Sequence, residues 1–108
     1  MRVVGTIGLL LLAGCSGTQP IKELLDNAFS FDSRTVRIVG EVKPSVKALG
    51  EGVYQVDDGT GSLAVWTKTG NRMPQIGAKV NVEGEFRSAF PLGSQTVPVL
   101  MEQQRSAP

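Results

Sequence analysis

The stretch Val53-Tyr54-Gln55-Val56-Asp57-Asp58-Gly59-Thr60-Gly61-Ser62-Leu63-Ala64-Val65-Trp66-Thr67-Lys68 decides the fold. Two runs with apolar residues at every second position flank a Gly-rich turn. Asp57 and Asp58 can accept hydrogen bonds from their own backbone, while Gly59 and Gly61 supply positive φ at little steric cost. The segment therefore reads as a β-hairpin, with Tyr54, Val56, Leu63 and Val65 inward and Gln55, Ala64, Trp66 and Lys68 outward. Adjacent acids in such a turn serve turn geometry before they serve as a catalytic pair or a hard-cation site.

Other strands follow from the same period. Thr35 to Val42 places Val36, Ile38 and Val42 on one face, with Gly40 on that face where a bend is needed. Ala78 to Phe86 alternates most cleanly, with Val80, Val82 and Phe86 inward. A loop with Arg87, Ser88, Phe90, Pro91 and Gly93 leads to a fifth strand, Thr96 to Met101, whose Pro98 suits an edge. Ahead of them, Ile21, Leu24, Leu25 and Ala28 recur at helical spacing behind Pro20, which predicts one amphipathic helix over Pro20 to Ala28. Thr69 to Gly77 contains Pro74 and leaves room only for a connector.

At the N-terminus, Arg2 and the apolar run Val3 to Leu12 form a targeting segment, well short of the roughly 20 residues a membrane-spanning helix needs. The next residues, Leu12-Ala13-Gly14-Cys15, resemble the lipobox of bacterial lipoproteins. The resemblance implies diacylglycerol on the Cys15 sulfur, cleavage before Cys15 and N-acylation of the new terminus. A soluble protein with an unmodified Cys15 is the alternative, and it leaves the fit of the tetrapeptide and its position to chance. One acyl chain binds a membrane only marginally, whereas several hold firmly. In this class an Asp after the cysteine directs proteins to the inner membrane. Ser16 therefore implies anchoring in the outer membrane, with the domain facing the periplasm. The chain divides into a leader at 1–14, a lipidated tether at 15–20, a folded domain at 21–103 and a polar tail at 104–108.

Composition narrows the function. Cys15 is the only cysteine, so lipidation leaves no thiol for a disulfide or a metal site. Histidine is absent, which removes the commonest general base and metal ligand. No serine stands in a nucleophile-elbow context. A non-enzymatic protein without cofactor or metal is expected. The chain carries eleven basic and ten acidic residues, and setting Arg2 aside with the leader leaves ten of each. Domains that live on phosphate contacts carry a basic excess.

Five short strands and a helix favour an all-β fold, a small five-stranded barrel. The patterns Val36-x-Ile38-x-Gly40-x-Val42, Tyr54-x-Val56-x-Asp58-Gly59-Thr60-Gly61-x-Leu63-x-Val65 and Gly77-x-x-Val80-x-Val82-x-Gly84 resemble those of bacterial OB-fold domains that bind nucleic acid. The resemblance covers Ile21 to Met101. It implies an OB-fold barrel, here with the N-terminal helix plugging one end in place of the usual helix between the third and fourth strands.

In OB-folds, the ligand lies on strands two and three and the loops beside them. The candidate ligand residues are therefore Trp66, Lys68, Gln55, Arg37, Arg87 and Phe90. Trp66 is either a stacking platform or a residue packed under a loop or the N-terminal segment. The expected function is a lipid-anchored envelope module that binds an extended ligand or a partner protein. The alternative is a single-stranded nucleic-acid binder.

Overall fold

Alternating apolar residues commit each strand to one inner and one outer face, and five such strands can bury a shared core only by closing. In the computed structural model, which describes residues 17–44, 52–68, 72–92 and 94–108, they do close. The strands are β1 (Thr35–Lys43), β2 (Val53–Asp57), β3 (Ser62–Trp66), β4 (Lys79–Leu92) and β5 (Gln95–Ser106). Around the barrel the order is β1-β2-β3-β5-β4, with β4 returning to β1. Neighbours are antiparallel except β3 and β5, which run parallel. This is the five-stranded OB-fold arrangement that the sequence motifs imply.

The hairpin forms in the expected register, with Val56 opposite Leu63 and Val53 opposite Trp66. Tyr54, Val56, Leu63 and Val65 enter one core with Val36, Ile38, Val42, Val80, Val82, Phe86 and Leu100. At Gly40, β1 leaves β4 and passes to β2: Gly40 pairs with Val80, and Glu41 already pairs with both Lys79 and Asp57. A Cβ on Gly40 would stand 2.5 Å from the Asp57 carbonyl oxygen, so only glycine lets the strand bend this closely against β2. Gly84 marks a second irregularity, a register shift against β5, and a Cβ there would run into the Met101 carbonyl.

Three boundaries differ from the sequence reading. The helix stops at Asp26 and resumes after Asn27, giving α1 (Ile21–Asp26) and α2 (Ala28–Phe31). β4 continues through the expected loop to Leu92, because β5 extends alongside it and pairs Phe90 with Val97 and Leu92 with Gln95. β5 in turn runs to Ser106, where the tail's backbone finds partners in Asn81 and Val82. Polar composition suggested a tail, but an available ladder decides what the backbone does.

The barrel ends are closed by different means. Ile21 and Leu24 are fully buried and plug one end, with Leu25, Ala28 and Phe31 packed around them. No helix lies between β3 and β4 among the described residues. At that end Glu102, its side chain only 4% exposed, accepts hydrogen bonds from the Tyr54 hydroxyl, from Thr67 Oγ1 at 2.9 Å and from Arg105 Nη1 at 3.3 Å. The Arg105 guanidinium also lies 5.5 Å from the Tyr54 ring centroid and donates to the Arg72 carbonyl. Burial, and then the bond to Glu102, push the Tyr54 hydroxyl well above its ordinary pKa.

Candidate functional site

The β2–β3 turn engages its acids internally. Asp57 accepts from the Gly59 amide at 2.7 Å and the Ser62 hydroxyl at 2.9 Å. One Asp58 oxygen accepts from the Thr60 amide at 2.8 Å, the Thr60 hydroxyl at 2.6 Å and the Gly61 amide at 3.2 Å. Its other oxygen accepts from the Ile21 amide at 2.8 Å. Pro20 has no side-chain cap to offer α1, so Asp58 caps that helix from across the chain. Burial pushes Asp58 upward, but its hydrogen bonds from Thr60, Ile21 and Gly61 outweigh this and hold it below the carboxylate range. Asp57 is lowered by the bonds from Gly59 and Ser62. Every carboxylate oxygen of the pair is thus occupied by the fold, which answers the choice between turn and chemistry in favour of the turn.

The outer face of β2, β3 and β5 differs from an ordinary solvent face. Side chains that alternate outward from the core form a second apolar cluster, in which Val53, Ala64 and Val99 are buried and Trp66, Phe90, Val97 and Met101 pack against them. Register explains the gathering: Val53 lies opposite Trp66, Ala64 is level with Val99, and Trp66 is level with Met101. Phe90 joins because β4 outruns the barrel, pairs with Val97 and brings its aromatic ring to this face. Beside the cluster, a groove of about 170 Å³ is lined by Gln55, Ala64, Val97, Pro98 and Leu25. The Gln55 amide oxygen has no hydrogen-bond partner among the described residues. An amide left so in the free protein favours a ligand that offers a donor.

The candidate residues therefore separate. Trp66, Phe90 and Gln55 come together on the outer face, and Lys68 lies exposed just past the end of β3. Trp66 is half-buried, so its ring both packs on the cluster and keeps an accessible part. Arg37 does not join them: it stands on β1, ion-pairs with Glu83 at 3.5 Å and lines a polar cleft of about 250 Å³ with Asn81, Gln104 and Arg105. Arg87 is held by Glu85 at 3.1 Å and belongs to β4, not to a loop. The sequence sets Arg37 beside the face as a flanking strand-one residue, but that stretch of β1 pairs with β4 and not with β2; Arg87 pairs with Val99 on β5 and so borders the outer cluster, its guanidinium engaged by Glu85. Val97, Val99 and Met101 escaped the sequence reading as face residues, although their alternation within the fifth strand was the available signal. Cys15 lies outside the described residues.

No protein-family model matches the chain, and no curated protein matches it in sequence. Among solved structures it is similar to the telomere capping protein Ten1 from Saccharomyces pombe, with a TM-score of 0.52 and 14% sequence identity over 80% of this chain and 75% of that one. The likeness carries the fold: this is an OB-fold protein, with an apolar and aromatic face on β2, β3 and β5.

Proposed function

We propose that the protein is a non-enzymatic OB-fold binding module that holds an extended single strand of nucleic acid across β2, β3 and β5. The observation that carries this reading is the meeting of Trp66 and Phe90 on that face, beside an amide-lined groove. Bases stack on aromatic rings whatever their sequence, each contributing about 1–3 kcal/mol. The similar solved structure is a telomere capping protein by name, which supports nucleic acid over a sugar or small metabolite. Charge balance sets the character of binding. With few cations at the face, stacking dominates and phosphate neutralisation contributes little.

A second reading, an extended protein segment on the same face, is favoured by the apolar side chains Val97, Val99 and Met101. Trp66 is the only tryptophan, so its fluorescence reports the face directly. Titration with oligonucleotides at two salt concentrations tests the first reading. The expected result is a saturable change in Trp66 emission whose affinity falls only weakly with salt. A chain that leaves Trp66 emission unchanged with every oligonucleotide, at low salt as well, turns the assignment to protein.

The same proposal places the module on a bacterial envelope membrane, through acyl chains on Cys15. The lipobox Leu12-Ala13-Gly14-Cys15 supports this. Cys15→Ser should abolish acyl labelling and leave the precursor uncleaved. Labelling of that variant at the wild-type level would remove Cys15 from the role.

A further inference from the structure

Cyclic strand order fixes which sides of a barrel lie opposite one another. In β1-β2-β3-β5-β4, the strands across from β1 are β3 and β5. The segment leading into the domain is fastened on the β1 side: the Gln19 amide donates to the Arg37 carbonyl at 2.8 Å, on the stretch of β1 that pairs with β4 and not with β2. The next residues are fixed as well, through Ile21 to Asp58 and the Lys22 amide to Thr60 Oγ1 at 3.1 Å.

Between Cys15 and that first fixed residue stand only Ser16, Gly17 and Thr18. A fully extended chain covers at most about 3.6 Å per residue, so the reach from Cys15 to Gln19 is roughly 14 Å. Opposed barrel walls are themselves about 10 Å apart, before the outer side chains are added. Half the way round the outside of such a barrel is roughly 16 Å at the backbone alone, and more over the side chains, so a tether of this reach falls short of the β3–β5 side. The chemistry of the two sides agrees. Toward β1 and β4 the surface is polar and mixed in charge, as suits lipid headgroups: Arg37 on β1 and Asn81 and Glu83 on β4 line the cleft, and Gln104 and Arg105 complete it from the C-terminal stretch of β5, which pairs there with β4 and lies beyond the part that pairs with β3. Toward β3 and β5 it is apolar and aromatic.

We propose that the anchored barrel rests with its β1–β4 side on the headgroups of the bilayer and holds the Trp66–Phe90 face toward the aqueous phase. This rests on acylation of Cys15. Its consequence is that the ligand arrives from the aqueous compartment and does not come up from the membrane.

The test uses the acylated full-length mature protein, with acyl chains counted by mass spectrometry, in phosphatidylcholine vesicles carrying a nitroxide-headgroup lipid. Trp66 reports the upper side. A fluorophore on Thr35→Cys, an exposed β1 position, reports the lower side as the sole free thiol, because acylation occupies Cys15. Headgroup nitroxide should quench the β1 label several times more strongly than Trp66, and acrylamide should show the reverse preference for Trp66. A ten-residue Gly/Ser insertion between Thr18 and Gln19 should erase the difference. Equal or reversed quenching in protein that carries its acyl chains overturns the orientation alone, as does an insertion without effect. Absence of acyl chains overturns the anchoring itself, and the orientation with it.

Discussion

At the scale of single residues, Asp58 shows how a motif can be read correctly in kind and still hide its main task. Its place in an Asp-Asp-Gly-Thr-Gly turn is local chemistry, but its bond to the Ile21 amide ties the turn to a helix 37 residues away. Asp58→Ala should remove the cap and cost about 1 kcal/mol, read as a lower denaturation midpoint. The pH dependence has a definite sign. Because the folded value of Asp58 lies below its unfolded value of about 3.9, its contribution is complete above that pH and is lost as pH falls through the folded value. Asp57, and Asp32 through the Ser88 amide, act in the same direction. Stability should therefore decline on acidification below about pH 4, and Asp58→Asn, which keeps an acceptor but no charge, should flatten part of that decline. Trp66 is the other telling residue. Trp66→Ala should weaken oligonucleotide binding roughly five- to 150-fold, the loss of about 1–3 kcal/mol of stacking. Being half-buried, it should also lose stability, but less than the roughly 3–5 kcal/mol of a fully buried aromatic. A full-sized stability loss with unchanged affinity would make it a packing residue only.

Among the elements, β4 carries most of the architecture. Its first half closes the barrel against β1, and its second half leaves the barrel with β5 and delivers Phe90 to the outer face. The inner alternation of Val80, Val82 and Phe86 was plain in the sequence; the continuation was not, because Ser88, Pro91 and Gly93 are loop-forming residues by composition. Pro91 is accepted where the pairing is at the margin of the sheet. Val82 is fully buried opposite Ile38. Val82→Asp places a carboxylate without a partner in that core, at a cost of several kcal/mol against a total stability of about 5–15 kcal/mol. The variant should be largely unfolded by circular dichroism at room temperature, and an unchanged melting curve would mean that position 82 does not face inward.

For the whole molecule, the unusual feature is a barrel closed by apolar side chains at one end and by a buried ion pair at the other. Glu102 and Arg105 form that pair, and Tyr54 and Thr67 complete the hydrogen bonding of the carboxylate. Breaking such a pair costs more than never having it, because one charge stays buried alone. Arg105→Met should lower stability by about 3 kcal/mol. The double variant Arg105→Met with Glu102→Gln should recover part of that loss, and a double-mutant cycle in urea measures the coupling. Additive effects in that cycle would show that the pair does not act as a unit.

The sequence by itself determined the barrel, the register of its central hairpin, the N-terminal plug and the break at Gly40. All of these follow from period, turn chemistry and steric size, which neighbours along the chain already express. It also marked Trp66, Gln55 and Phe90 as candidates. Only the tertiary structure decided that these three share a face while Arg37 does not, since strands far apart in sequence become neighbours through closure. The same holds for the network of Tyr54, Thr67, Glu102 and Arg105. None of those residues announces a partner locally, and the low-dielectric barrel end that makes their pairing necessary exists only once the strands have closed around it.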